Sequence, residues 1–145
     1  MYLEDYAPGS VFSLDPVSVT QQDIIEFALS YDQQPFHTDP VAAADGPFGG
    51  IIASGWQTCA LTMRALVAGY FSPLSSLGSP GIDEIRWPAP VRGDDVLTVN
   101  VTVLENRPSS SKPDRGIIRS HIQTMNQNGV VVLTMTAINV IRTRA

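Results

Sequence analysis

A chain of 145 residues, 43% of them hydrophobic and 16% charged, is long enough for one domain with a core of its own. This composition excludes intrinsic disorder, and every apolar stretch is interrupted well short of the ~18 residues that a membrane span needs. The net charge of −5 and the lack of any basic run exclude the usual nucleic-acid-binding surface.

The distribution of charge and the cysteine content give further indications of the ligand and of the cellular location. Residues 1–63 contain eight Asp or Glu and no Lys or Arg, whereas residues 64–145 contain all nine basic residues. A site for a phosphorylated small molecule is therefore an open hypothesis for the second half. The acidic N-terminus lacks the basic start of a signal peptide, and the single cysteine, Cys59, cannot form an internal disulfide. Together these features predict a cytoplasmic protein.

The first third of the chain predicts short elements around a proline. Residues 11–20 alternate apolar and polar side chains around a proline and form an edge strand at most. Thr20 and Asp23 have the spacing of a capping box, and the helix that follows is expected to end near Asp32 because Pro35 prevents its continuation.

A second, shorter helix is predicted directly afterwards. Asp39 has the character of an N-cap and Pro40 that of a first helical residue, which predicts a helix over residues 40–45. His37 is therefore expected in a loop between two helices. Asp32 and His37 are five residues apart and do not share a face of one continuous helix, so the loop must fold back to bring them together.

The most helical segment covers residues 55–70. Ser54 and Gln57 have the spacing of a capping box at its start. Apolar residues then recur at helical spacing and spread over nearly the whole circumference, which is typical of a buried helix. We therefore expect this segment to be the central helix of the domain.

From Ile82 onward the apolar period changes from that of a helix to that of a strand. Asn128 and Gly129 predict a hairpin between the last two strands, and residues 107–116, rich in Pro and Ser, predict an exposed loop. The predicted strands cover residues 82–87, 95–106, 116–127 and 130–142. The order of elements predicts a single α+β domain, residues 1–145, with a sheet wrapped around one helix.

This order, with "YDQQPFH" ahead of the central helix, resembles the MaoC-like acyl dehydratases, which include the (R)-specific enoyl-CoA hydratases. The later segment "FGGIIASG", residues 48–55, resembles the family's approach to the central helix. The resemblance implies the hot-dog fold, a curved antiparallel sheet wrapped around a long central helix. The matching positions of the family motif are Phe27, Ser30, Asp32, Pro35, His37 and Ala43. The sequence departs from the family pattern at Tyr31, Gln34 and Phe36, and these departures concern the substrate more than the type of reaction.

The resemblance also implies the roles of individual residues. Asp32 and His37 would act as acid and base on one water, and the backbone N–H of Gly55 would serve as an oxyanion donor. The side chains expected to contact the substrate are Tyr31, Gln34, Phe36, Ser54 and Trp56. Cys59 is predicted to lie in the core and His121 to be structural. No spacing of metal ligands and no glycine-rich phosphate motif is present, so the sequence predicts neither a metal nor a cofactor.

Three functions remain open on the sequence. The first is a hydro-lyase that hydrates a 2-enoyl-CoA or dehydrates a (3R)-hydroxyacyl-CoA. The second is a hot-dog thioesterase, against which the absence of Asp and Glu from residues 55–70 counts. The third is a non-catalytic subunit that binds acyl thioesters.

The sequence also carries expectations about partners. The resemblance implies an acyl-CoA substrate and a homodimer or dimer of dimers, and neither nucleic acid nor a membrane is expected. A lone domain of this kind would leave an edge strand unpaired, which favours assembly. The candidates for contacting the phosphates of CoA are Arg86, Arg92, Arg107, Lys112 and Arg115. For each of them an ordinary surface ion pair is the competing interpretation.

Overall fold

A computed structural model describes residues 1–145 as short elements followed by one long helix and four strands. The chain begins with a single turn of 3-10 helix at Leu3–Asp5. The strands are β1 (Val11–Ser13), β2 (Val17–Ser18), β3 (Gly81–Arg86), β4 (Val96–Pro108), β5 (Arg115–Met125) and β6 (Val131–Arg142). The α-helices are α1 (Gln21–Tyr31), α2 (Pro35–Thr38), α3 (Pro40–Asp45) and α4 (Gly55–Gly69). None of the helices is long and apolar enough to cross a membrane.

All the strands belong to one antiparallel sheet. Its order is β1-β4-β5-β6-β3, and β2 pairs with the start of β4 beside β1. Along β5 every second residue is buried, which is the period of a strand with one face on a core. The predicted α+β architecture is confirmed, and β3 is left with one free edge because it pairs with β6 alone.

The core lies between the buried face of the sheet and α4. Its larger cluster joins Leu66 of α4 to β-branched side chains of the strands such as Val101, Ile118 and Ile122. Two polar pairs cross the same interface: the Thr62 and Thr124 hydroxyls are 2.7 Å apart, and the Tyr70 hydroxyl lies 2.8 Å from that of Ser120. Paired in this way, the buried hydroxyls fix the position of the helix on the sheet without the cost of unsatisfied groups.

The helix α4 is buried on one face only, whereas the sequence pattern predicted burial nearly all round. Its inner face contains the buried polar residues Gln57, Thr58 and Thr62 beside Leu61 and Leu66. The outer face is apolar and exposed, with Trp56 at 60%, Met63 at 46% and Val67 at 55% of their full accessibility. Hydrophobic periodicity identified the helix correctly and could not tell which face meets the sheet.

Three local predictions need correction. His37 lies in the one-turn helix α2 and not in a loop, because Pro35 is preorganised for the first position of a helix. Ser54 caps α4 alone through Trp56 N–H, since the amide of Gln57 donates instead to the Asp23 carbonyl. Strands β4 and β5 extend into the predicted loop, which shrinks to residues 109–114.

The remaining local predictions hold with small changes. The capping box of Thr20 and Asp23 is formed at the start of α1, and Asp39 caps α3 by accepting from two backbone N–H groups. Residues 11–20 form two strands of three and two residues separated by Pro16, in place of one. The turn at Gly129, with φ of 74°, joins β5 to β6 as expected from its left-handed conformation.

Candidate active site

The break between α1 and α2 brings Asp32 and His37 together. Asp32 ends α1 with an extended φ of −155°, and α2 starts three residues later at Pro35. The reversal places the Nε2 atom of His37 3.3 Å from the Oδ2 atom of Asp32. Both side chains are largely buried, at 6% and 18% exposure respectively. The proline between the two residues therefore serves to fold the chain back, as the loop predicted from the sequence had to do.

The other nitrogen of His37 fixes which tautomer the ring adopts. Nδ1 lies 2.6 Å from the carbonyl oxygen of Ile52, and a carbonyl can only accept, so Nδ1 carries the proton. In the neutral ring the lone pair of Nε2 then faces the Asp32 carboxylate. Two acceptors 3.3 Å apart are favourable only around a shared proton or a donor that bonds to both. The pair is arranged to take a proton from a molecule bound between them.

Asp32 is held in its ionised form. The amide of Gln34 donates to Oδ1 at 2.6 Å, and this bond is the largest cause that lowers the pKa of Asp32 below its usual value. The Ser54 hydroxyl lowers the pKa of Asp32 in the same direction, as does a positive charge on His37 when its ring is protonated, and partial burial opposes these effects. Asp32 is therefore a carboxylate at neutral pH, which is the protonation state of a base.

The first turn of α4 leaves a single N–H group free. Ser54 accepts from three successive backbone groups, since its Oγ takes the N–H of Trp56 and its carbonyl takes those of Gln57 and Thr58. The N–H of Gly55 has no acceptor within the chain. A free donor at the positive end of a helix is a ready site for a developing negative charge.

Trp87, directly after β3, closes the site from the side of the sheet. Its indole N–H donates to the Gly55 carbonyl at 3.0 Å, and its ring meets that of Trp56 edge-on with centroids 5.4 Å apart. A Cβ at position 55 would lie 2.5 Å from the Cε2 atom of Trp87, well inside contact distance. Glycine is required at position 55 because the indole occupies the space of a side chain.

One cavity of about 430 Å³ joins these groups. It is lined by Asp32, His37, Gly55 and Trp56 from the predicted set, together with Phe48, Trp87 and the segment Pro88–Val91. Four other predicted residues lie outside its lining. Gln34 donates to Asp32, and Ser54 caps α4, as described above. The ring of Phe36 packs 4.4 Å from that of His37, and Tyr31 is 78% exposed.

Sequence reasoning missed three contributors to the site. Ile52 acts through its carbonyl, which no side-chain pattern can reveal, and Phe48 through a ring packed 5.6 Å from that of Phe36. Trp87 comes from the other half of the chain. In the sequence, Trp87 is noticeable only as an aromatic residue before the segment "PAP". Its contact with Gly55 is visible only in the folded structure.

The five predicted phosphate-contacting residues lie in different places. Arg86 pairs with Glu84 on β3, and Arg92 donates to the Phe48 carbonyl beside the cavity. Arg107, Lys112 and Arg115 line a second cavity at the far end of β4. Cys59 is half-buried, burial raises the pKa of its thiol, and it packs against the core as predicted. No group of three or more His, Cys, Asp or Glu side chains is placed to hold a metal ion.

Comparison with known proteins identifies the family. Residues 5–124 match the family of the MaoC like domain, which covers most of the chain. The chain belongs to the MaoC-like dehydratase family. Its fold is accordingly the hot-dog fold, in which the antiparallel sheet is wrapped around the central helix, here α4.

Two relatives match the chain over different lengths. The uncharacterized protein YdeM of Bacillus subtilis is 33% identical over 91% of this chain and 92% of its own length. The 3-hydroxyacyl-thioester dehydratase Z of Mycobacterium tuberculosis is 40% identical over 53% of this chain and 52% of its own. The match to this dehydratase therefore spans about half of each protein.

Two solved structures superpose over almost the whole chain. The MaoC-like dehydratase from Rhodospirillum rubrum is 43% identical, with a TM-score of 0.92 over 100% of this chain and 99% of that one. The R-hydratase PhaJ1 from Pseudomonas aeruginosa is 25% identical, with a TM-score of 0.77 over 99% and 86%.

Proposed function

We propose that the protein is an acyl-thioester hydro-lyase that reversibly hydrates a 2-enoyl-CoA and, in reverse, dehydrates a (3R)-hydroxyacyl-CoA. The observation that carries the proposal is the convergence of three groups on one cavity: the Asp32 carboxylate, the Nε2 atom of His37 and the free N–H of Gly55. The dehydratase and hydratase names of the relatives support the same reaction class.

Each group has one task in the addition of water. A water that donates to Asp32 and to Nε2 of His37 attacks the β-carbon and gives up one proton to this pair. Electrons move from the double bond towards the thioester oxygen, where the N–H of Gly55 stabilises the negative charge. The pair then returns a proton to the α-carbon, so that the elements of water are added and the enzyme is regenerated.

The shape of the cavity supports a thioester whose carbonyl approaches α4 end-on. Glycine at position 55 leaves the backbone N–H open, while Trp87 covers the carbonyl side of the same residue. Trp56 and Phe48 give the cavity apolar walls around the reacting carbons.

We propose further that two copies of the chain form a homodimer. The outer face of α4 exposes Met63 and Val67, and both also line a largely apolar cavity of about 580 Å³ next to the free edge of β3. The Oδ1 atom of Asn139 is buried at this cavity without a partner. Pairing of β3 with β3 of a second copy would cover the edge and the apolar face together.

The reaction is tested by following the absorbance of crotonyl-CoA while free thiol is measured in parallel. Loss of the enoyl absorbance without thiol release is expected, because the pair acts on the double bond. Thiol release would favour the thioesterase alternative. Neither signal with any enoyl-CoA, from short chains to long ones, would favour a non-catalytic acyl-thioester binder.

A further inference from the structure

A second cavity, of about 530 Å³, lies at the end of the sheet opposite the catalytic pair. It is formed where β4 and β5 meet, and its lining contains Arg107, Lys112 and Arg115 together with Ser109 and Ser110. No acidic residue lines it. Such a concentration of positive charge is unusual in a chain whose net charge is −5.

The positive charges at this cavity are largely unpaired. The side chains of Arg107 and Lys112 have no ion pair, and Arg115 pairs with its exposed neighbour Asp114. Elsewhere the guanidinium of Arg119 pairs with Asp83 and Glu105, and that of Arg144 pairs with Asp5. Cations left free around a concave surface are available for an anionic ligand, because no internal carboxylate competes for them.

The loop adds hydrogen-bond donors of the kind that phosphate accepts. The Oγ atom of Ser109 accepts from the backbone N–H groups of Ser111 and Lys112, so its own hydroxyl proton remains free to donate. A concave site with two unpaired cations and hydroxyl donors fits phosphate oxygens better than the broad acidic surface of a carrier protein.

This cavity is too far from the catalytic pair of its own chain to serve it. The strand register pairs Arg86 with Thr134, Thr134 with Gln123 and Gln123 with Asn100, so Trp87 at the catalytic cavity lies near the level of Asn100 on β4. Arg107 stands seven residues further along the same strand, which is roughly 23 Å at ~3.3 Å per residue. The pantetheine arm of CoA is shorter than this separation.

Pairing through the free edge of β3 would bring the cavity close to the catalytic pair of a second copy. An antiparallel two-fold pairing turns one copy end for end, so the basic end of one sheet lies at the catalytic end of the other. In the sheet order β4-β5-β6-β3, β5 and β4 are two and three strands from the edge. That is ~10–15 Å at about 4.8 Å per strand.

We propose that the cavity of Arg107, Lys112 and Arg115 binds the phosphate groups of an acyl-CoA whose thioester occupies the catalytic cavity of the other subunit. The inference rests on the proposed function and on the homodimer, and it specifies CoA rather than a carrier protein as the acyl carrier. Each active site then consists of chemistry from one chain and carrier recognition from its partner.

The first experiment compares substrates with and without the nucleotide. The variant Arg107→Gln/Lys112→Gln is assayed with crotonyl-CoA and with crotonyl-pantetheine, and its control Arg119→Gln/Arg144→Gln removes the same charge elsewhere. We expect KM for crotonyl-CoA to rise about tenfold with kcat unchanged, since remote phosphate contacts contribute uniform binding. KM for crotonyl-pantetheine should not move, and the control should resemble the wild type.

Three results would overturn the proposal. An equal rise in KM for both thioesters would mean that the variant perturbs the fold. An unchanged KM for crotonyl-CoA would leave the cavity without a role in binding the substrate. A rise confined to a crotonyl thioester of an acyl carrier protein would identify a protein surface as the ligand.

A mixed dimer tests whether the contact crosses the interface. A subunit with His37→Gln keeps the basic cavity, and a subunit with Arg107→Gln/Lys112→Gln keeps the catalytic pair. In the dimer of one of each, the intact pair faces the intact cavity, so the low KM should return at about half the activity per dimer. A KM that stays high after mixing would rule out the contact between subunits.

Binding of CoA itself separates this inference from the proposed reaction. Calorimetry with free CoA and the His37→Gln protein measures the cavity without any turnover. If no enoyl thioester is hydrated but the affinity for CoA falls about tenfold on adding Arg107→Gln/Lys112→Gln, the reaction is wrong and the phosphate site stands. If hydration proceeds and this affinity does not change, the phosphate site is wrong.

Discussion

The first turn of α4 differs from the outer face of its later turns in how far contacts within the chain satisfy its groups. In the first turn every backbone N–H but one is bonded, and the free one belongs to Gly55, which lines a cavity with Asp32 and His37. On the outer face the apolar side chains of Met63 and Val67 are about half exposed. The first region is complete within one chain, whereas we propose that the second is covered by a second copy of the chain. Function is therefore expected to fail in two separable ways.

The largest effect is expected when the catalytic pair is broken. Asp32→Asn and His37→Gln should each lower kcat by about 10²–10⁴-fold in an enoyl-CoA hydration assay, because each removes an acid or base. The matched control His121→Gln changes the other histidine, which lies on β5, and should keep full activity. Light scattering should give the same mass for all three variants. More than roughly a tenth of the wild-type rate in either would remove that residue from the mechanism.

The next effect comes from the N–H of Gly55. Gly55→Ala keeps this donor, but its methyl group would lie 2.5 Å from the Trp87 ring, so the indole or the helix end must move. We expect a loss of about 10²-fold in kcat, similar to the loss of an oxyanion donor. Gly69→Ala at the other end of α4 is the control, since its Cβ would meet only the flexible Leu14 side chain at 3.2 Å. Near-normal activity of Gly55→Ala would show that the indole gives way easily.

A third substitution addresses the outer face. Met63→Lys/Val67→Lys places two charges on the apolar surface and should convert a dimer into a monomer in light scattering. Because we propose that the substrate is held by both subunits, activity with crotonyl-CoA should fall with the loss of mass. Leu29→Lys, at a residue of α1 that is 52% exposed, places one such charge on an exposed apolar position elsewhere and should leave the mass unchanged. A wild-type protein that is monomeric and fully active would contradict the shared site.

The smallest effect concerns the pH profile. The Gln34 amide stabilises ionised Asp32, so Gln34→Leu should raise the pKa of Asp32 towards its ordinary value. A base is active only when ionised, and the acidic limb of kcat/KM for crotonyl-CoA should therefore move to higher pH. Gln33→Leu, beside it, removes an amide that bonds only to the Leu29 carbonyl and should leave the limb in place. An acidic limb that does not move would mean that another group sets it.

Much of the fold and part of the site could be predicted from the sequence. Local signals sufficed for α1, α3 and α4, since caps such as Thr20 and Asp39 act within a few residues. The pair of Asp32 and His37 was identified from the resemblance and from Pro35 between them. In both cases the information lies in neighbouring residues.

The rest depended on contacts distant in the chain. The face of α4 that meets the sheet is set by partners such as Thr124 and Ser120, some fifty to sixty residues away, so periodicity alone could not choose it. The exposure of Tyr31 and the contact of Trp87 with Gly55 are likewise determined by tertiary packing. A pattern of spacing carries no information about such pairs.

The packing of Trp87 against Gly55 links two positions 32 residues apart in the sequence. The cost of a side chain at position 55 depends on what stands at position 87, so neither substitution has a fixed effect of its own. A smaller residue at 87 opens the space that a methyl group at 55 would need, and the two changes together are then milder than their sum. We therefore expect variants with altered acyl specificity at this wall of the pocket to require a substitution at position 87 first. A substitution at position 55 is tolerated only after that.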